Sequence, residues 1–452
     1  MDRAKLLGEE KISKLLLKFS IPAIVGMIVN ALYNIVDRIF IGNFVDSLGL
    51  AGITIAFPIM IILMAFGMLV GIGATSLISI RLGEGKKKEA ELILGNAMIL
   101  LIVFSASISF IGLIFLDPIL KLFGASPQVL PYSKAYLSII LLGAVFQTIG
   151  FGMNNFIRAE GNPKRAMSTM LIGAILNTIL DPIFIIVFDM GIRGAALATI
   201  ISQAVSAAWV LSYFFSGKSS LTVRKENLKL NFPIVKGILS IGSAPFAMQV
   251  AASAITTLLN HSLKTYGGDL AISAYGAINS FSTILLMPIF GINQGAQPII
   301  GFNYGAKKYD RVKKALLLAI TAATSFTIIG FIVTRIFPEQ LVALFNSKDK
   351  ELIKIGANGM KIFFAMLPLI GFQIVSSNYF QATGKPKQAM LLSLSRQVLM
   401  LIPAILILPR FFDLNGVWMA GPTADFFASL LTGAFILYEI KHLQEKHDEN
   451  QA

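Results

Sequence analysis

With 452 residues, 55% of them hydrophobic and only 14% charged, and a mean hydropathy of +0.75, the chain is far poorer in charge than a soluble domain. Such a domain carries about 25% charged residues, so lipid rather than water is the expected solvent. The absence of Cys excludes disulfides, thiolate metal sites and a catalytic thiol, and three His, two of them in the polar tail (His442, His447), leave little for a histidine metal centre.

The opening stretch, MDRAKLLGEEKISKLLLKFS, is charged and amphipathic, unlike a cleavable signal peptide, so the first apolar run is kept as a span. A hydrocarbon core of about 30 Å needs about 20 apolar residues per helix. Runs of that kind predict twelve spans, near 18–41, 50–80, 92–116, 133–157, 166–188, 194–215, 237–262, 270–301, 314–336, 356–380, 388–408 and 415–438. Pro22, Pro58, Pro245, Pro288 and Pro298 are kink or hinge positions within them. Lys and Arg crowd the N-terminal arm and the loops after spans two, six and eight, whereas the opposite loops are cation-poor apart from Lys348, Lys350 and Lys354, which acids dilute. Both termini are therefore expected on the cytoplasmic side of the cell membrane. The net charge of +14 reads as topology and contact with anionic lipid, with no nucleic-acid partner.

The chain repeats itself at about 220 residues. NNFIRAEGNPKRAM at 154–167 matches SNYFQATGKPKQAM at 377–390, placing Gly161 on Gly384 and Pro163 on Pro386. GIGATSLISIRLGEGKKK at 71–88 matches GINQGAQPIIGFNYGAKK at 291–308, placing Gly85 on Gly305. Six spans per half is an even number, so both halves enter from the same side and the repeat is parallel. The expected fold is an all-α membrane protein of two six-helix bundles related by a pseudo-two-fold axis along the membrane normal. Residues 1–215 form the first bundle, 216–236 a cytoplasmic linker, 237–440 the second bundle and 441–452 a polar tail. Two such bundles around a central cleft suit alternating access.

Ionisable groups in hydrocarbon are costly, which makes each a functional-site candidate. With a rise of about 1.5 Å per residue, Asp37, Asn177, Asp181 and Thr199 fall at one level in the outer part of the first bundle. Two carboxylates close together in low dielectric invite a proton or a cation between them. An all-oxygen set suits a hard ion such as Na⁺, so H⁺ or Na⁺ is the expected coupling ion and no other cofactor is expected. Gln147 is the span-four polar residue at a matching level, whereas Asn154 and Asn155 sit at the inner end, lining the inner cleft or capping the loop. At the repeat offset Asp37 falls on Thr257 and Asp181 near Ile402, so the second bundle lacks the acid pair. Asp425 and Arg396 fall at similar mid-membrane depth and are expected to form a structural ion pair.

Met27, Phe57, Met64, Met68, Met248 and Met287 fall in spans one, two, seven and eight, joined by the polar Asn279, Asn293, Gln294 and Gln297. A flexible Met- and Phe-lined cleft accepts varied lipophilic molecules. GEGKKK lacks the spacing of a phosphate-binding loop, and no ATPase domain or other enzyme motif is present, so uphill transport would run on an ion gradient.

The stretches LYNIVDRIFIG at 32–42, RAEGNPK at 158–164 and LNTILDPIF at 176–184 resemble the multidrug and toxic compound extrusion (MATE) family, most closely its bacterial MepA/DinF-like branch. The resemblance spans essentially the whole chain. It implies two six-helix bundles and H⁺- or Na⁺-coupled export of small lipophilic cations, with the coupling site at Asp37, Asn177, Asp181 and Thr199; separately, a monomer is expected. The family's span-four Asn has no match at that level, where Phe151 and Gln147 stand. A lipid-linked glycan flippase of the wider superfamily is the alternative. It would need a strongly cationic cleft, and only Arg396 lies clearly inside the spans.

Overall fold

The computed structural model describes residues 3–45, 47–345 and 349–451, so Lys348 lies outside it. Among the described residues every regular element is helical. The first half contains α1 (Arg3–Glu9), α2 (Ile12–Phe44), α3 (Ser47–Gly83), α4 (Lys87–Ile114), α5 (Leu116–Leu122), α6 (Leu130–Leu142), α7 (Ala144–Ala159), α8 (Pro163–Pro182) and α9 (Gly191–Phe215). After them come α10 (Phe232–Gly305), α11 (Tyr309–Ile336), α12 (Pro338–Ala343), α13 (Lys350–Phe363), α14 (Leu367–Ala382), α15 (Pro386–Leu394), α16 (Ile402–Ile407) and α17 (Pro409–Gln451). A π-helical turn follows α8 (Ile183–Val187) and another follows α15 (Ser395–Leu401). Helices satisfy every backbone N–H and C=O internally, as hydrocarbon requires.

Ten stretches among the described residues are long and apolar enough to cross a membrane, α10 supplying two on either side of a break at Gly268. Two more spans are bent pairs, α6 with α7 at 53° and α13 with α14 at 49°, which brings the total to the expected twelve. A glycine stands at the first bend. A Cβ on Gly143, between α6 and α7, would lie 2.4 Å from Ile200 Cγ2, so only glycine lets α9 come this close.

The repeat is visible in backbone detail. Helices α4 and α11 both have 28 residues, and each is followed by a short helix and then a bent pair. Gly161 (φ 88°) and Gly384 (φ 72°) take the same left-handed conformation after α7 and α14. In each turn the glycine N–H bonds the carbonyl three residues back (Arg158, Gln381), and the next N–H reaches five back (Ile157, Phe380). The second sequence match needs a shift of two residues. The left-handed residue before α4 is Gly85 (φ 74°), and its counterpart before α11 is Lys307 (φ 56°), not Gly305. Bonds from Gly85 to Leu82 and Lys86 to Arg81 recur from Lys307 to Tyr304 and Lys308 to Asn303. Distance from the next helix start sets the turn, and shared glycines misplaced it.

The chain divides into two compact units. Unit 1 contains residues 1–10 and 25–246, and unit 2 contains 11–24 and 247–452. The start of α10 thus packs within unit 1, where a Cβ on Gly242 would lie 1.7 Å from the Leu69 carbonyl oxygen. The start of α2 packs within unit 2, where a Cβ on Gly295 would meet Ser20 at 2.6 Å. Such small-residue seams let membrane helices approach closely where lipid gives no hydrophobic push. The changeovers fall just beyond Pro22 and Pro245, each of which removes a helical hydrogen bond.

The stretch between α9 and α10 is strapped to unit 1. Buried Glu160 accepts from Tyr213 Oη (3.0 Å), Ser219 Oγ (2.5 Å) and the Ser220 amide (3.0 Å). Glu91 accepts from the Thr222 amide (3.1 Å) and Asn96 Oδ1 from the Asn231 amide (2.7 Å), while Leu221 is fully buried in the core. Burial raises the Glu160 carboxyl above the ordinary carboxylate range, and those hydrogen bonds only partly offset it. At the other end of the chain, the polar tail continues α17 as helix.

Candidate functional site

Helix α8 starts cleanly. Asn162 caps it, its side chain accepting from the Arg165 amide at 3.3 Å, and Pro163 occupies the first turn, where its missing N–H costs nothing. Asn177 and Asp181 follow four residues apart, on one face, and that face is buried. Pro182 then ends regular α-helical bonding and the π turn Ile183–Val187 begins, an irregularity common at functional positions.

Thr199 comes from α9, which packs along α8. Asn177 Nδ2 stands 3.4 Å from Asp181 Oδ1 and 3.4 Å from Thr199 Oγ1, so one amide bridges the two helices. Asp181 is 0% exposed, Asn177 2%, Thr199 6% and Asp37, from α2, 8%. Asp37 and Asp181 lie within electrostatic reach of one another. Asp181 Oδ2 and Asn177 Oδ1 are buried with no hydrogen-bond partner, and Asp181 has no basic partner, among the described residues.

A fifth member was missed in the sequence. Tyr136 of α6 is 2% exposed and lies within electrostatic reach of Asp37, Asp181 and Tyr33. The available signal was a tyrosine inside an apolar span, whose hydroxyl needs a partner once buried. Two carboxyl groups, an amide, a hydroxyl and a phenol from four helices thus form an oxygen-rich, buried cluster inside unit 1. Its chemistry suits a proton or a hard cation such as Na⁺.

The remaining candidates lie elsewhere. Gln147 is half-buried on α7 and forms no hydrogen bond to the acids. Asn154 is buried with Oδ1 unpartnered, whereas Asn155 donates to the Phe151 carbonyl (3.0 Å) and accepts from Arg158 (2.6 Å). Met27, Met64 and Met68 are half-buried and Phe57 is exposed, all in unit 1. Met248, Met287, Asn293 and Gln294 are half-buried, Gln297 is buried and Asn279 exposed, all in unit 2. Also in unit 2, Arg396 Nε donates to Asp425 Oδ1 at 2.5 Å, with the Asp425 side chain 3% exposed and that of Arg396 32%.

Comparison with known proteins bears on the whole chain. The MatE family profile matches residues 22–183 and again 245–406. Multidrug export protein MepA of Staphylococcus haemolyticus (strain JCSC1435) is 29% identical over 434 residues, covering 96% of this chain and 95% of that one. The structure of the MATE multidrug transporter DinF-BH is similar with a TM-score of 0.90 and 43% identity, over 96% of this chain and 97% of that one. A MOP superfamily transporter from Pyrococcus furiosus is similar at a TM-score of 0.92 and 25% identity, over 98% and 99% of the two chains.

Proposed function

The chain belongs to the MatE family, and from that premise we propose that it is a multidrug exporter that antiports small lipophilic cations against H⁺ or Na⁺. It works as a monomer in the cell membrane, with both termini cytoplasmic, and its unit 1 pocket takes up the coupling ion. One observation supports this most: Asp181 is fully buried within electrostatic reach of a second carboxyl group, Asp37, and its Oδ2 has no hydrogen-bond partner among the described residues. Two acids in low dielectric favour the arrangement of the molecule in which a proton or cation relieves their repulsion. Ion and cargo each bias one conformational equilibrium, so binding of one weakens binding of the other, and the coupling is reciprocal.

The chemistry needs no covalent step. Asn177 and Thr199 orient the carboxyl oxygens, Tyr136 offers a phenol to the same cluster, and apolar packing excludes water. Efflux from vesicles carrying Asp37→Asn or Asp181→Asn, under separately imposed Na⁺ and pH gradients, tests this. Loss of gradient-driven efflux in both variants is expected, and full activity in both would overturn the proposal. The flippase alternative gains nothing from Arg396, whose charge is engaged by Asp425.

A further inference from the structure

Two helices of unit 2 that pack against each other each carry buried polar side chains that the transport reading does not use. On α17, Asp425, Ser429, Thr432 and Glu439 follow at i, i+4, i+7 and i+14, which puts them on one narrow stripe. All four are buried, at 2%, 7%, 1% and 4% exposure. On α14, which packs against α17, Gln373, Ser376 and Tyr379 follow at intervals of three and are likewise buried. The two helices are bonded at one end, where Tyr379 Oη donates to Glu439 Oε1 at 3.0 Å and Lys385 Nζ also bonds Glu439. One span separates α14 from α17, so the two run in the same direction. Gln373 lies about 9 Å from Tyr379 along its axis, and Thr432 about 10 Å from Glu439 along its own.

Both ends of this seam are bonded, by Arg396 to Asp425 and by Tyr379 and Lys385 to Glu439. The middle is not. Gln373 Oε1, Ser376 Oγ, Ser429 Oγ and Thr432 Oγ1 are all buried without a hydrogen-bond partner among the described residues, as is Gln397 Oε1 next to Arg396. An unmade hydrogen bond at a buried polar group costs about 1–3 kcal/mol, so four on these two helices between bonded ends are not left so by packing alone. The shared need of hydroxyl and amide oxygens for a small partner that both donates and accepts is met by water. A metal ion would be less well served, because the carboxylates stand only at the two ends of the seam and each is already bonded to a cation, Asp425 to Arg396 and Glu439 to Lys385.

We infer that α14 and α17 enclose a file of internal water molecules, running from Glu439 to the Arg396–Asp425 pair over about 21 Å of helix. This water solvates the ion pair from within unit 2, and it does so whether or not the unit 1 acids couple transport.

Millisecond X-ray radiolysis of the full-length protein in lipid nanodiscs, read by mass spectrometry, tests it, since bound water oxidises side chains beside it even when bulk solvent does not reach them. Tyr379 and Ile436, 0% and 3% exposed, are expected to label roughly tenfold faster than Phe364 and Leu367, 2% and 1% exposed in the apolar core of the same unit. Ser429→Ala with Thr432→Val should abolish the Ile436 excess, and Thr432→Ser should keep it. Wild-type labelling of Tyr379 and Ile436 no faster than that of Phe364 and Leu367 would overturn the inference, as would an Ile436 excess unaffected by the double substitution.

Discussion

The two units follow the same path of helices and place buried charge in opposite ways. In unit 1, Asp181 is fully buried among neutral oxygen groups within electrostatic reach of Asp37, and among the described residues no basic side chain is bonded to Asp181. In unit 2, Asp425 is as deeply buried but has a cation of its own, Arg396, tethered on the neighbouring helix. A tethered cation cannot leave, so Asp425 has nothing to exchange. The unit 1 acids, in our proposal, bind a cation that can leave. A second pair of carboxylates shows the same contrast: Glu160, after α7, is held by neutral donors from α9 and the strap, and Glu439, on α17, by Tyr379 and the cation Lys385.

The largest effects should come from breaking this contrast at its centre. Asp181→Asn and Asp37→Asn should each abolish gradient-driven efflux, measured in inside-out vesicles, at unchanged expression. The paired substitution Arg396→Met with Asp425→Leu should leave efflux within about threefold of wild type, because replacing a buried ion pair with apolar side chains of similar volume is often neutral. Arg396→Met alone leaves Asp425 buried and unpaired, and should lower stability by about 3–5 kcal/mol, seen as a fall in the thermal midpoint of the detergent-solubilised protein.

A smaller effect sharpens the comparison at the loops. The Glu160 carboxyl is pushed up by burial, so between the ordinary carboxylate range and its raised value the folded state holds a proton that the unfolded state has lost. Stability should therefore fall as pH rises through that window. Glu160→Gln should flatten this pH dependence while costing about 1–3 kcal/mol from mismatched hydrogen bonds to Ser219 and Ser220. Thermal midpoints across the acid range read both. Smallest of all, Gly161→Ala and Gly384→Ala should each cost about 1–2 kcal/mol, and by similar amounts, because both glycines hold the same left-handed turn.

Much of this was legible in the sequence for identifiable reasons. Span length and the internal repeat are written in hydropathy and in glycine–proline spacing, which lipid and turn geometry enforce directly. Asn177 and Asp181 could be placed together because helical periodicity alone puts i and i+4 on one face. Tyr136 could not be, since its membership depends on where α6 lies against α9, a contact between distant parts of the chain. The strap at Glu160, Glu91 and Asn96 was hidden for a similar reason. The stretch from 216 to 236 reads as a polar linker, and only the buried acceptors on α4 and after α7 show what holds it. The slip between Gly85 and Gly305 arose because a lysine, Lys307, holds the left-handed turn where a glycine was expected.

The exchange at unit 1 is tested most directly by mixing a lipophilic cationic dye with the purified protein in weakly buffered solution and following H⁺ and Na⁺ release. Dye binding should expel one of these ions from the wild type and from the Arg396→Met, Asp425→Leu protein, and from neither Asp37→Asn nor Asp181→Asn. Undiminished ion release from Asp181→Asn, or its loss only when Arg396 and Asp425 are replaced, would contradict the assignment of exchange to unit 1.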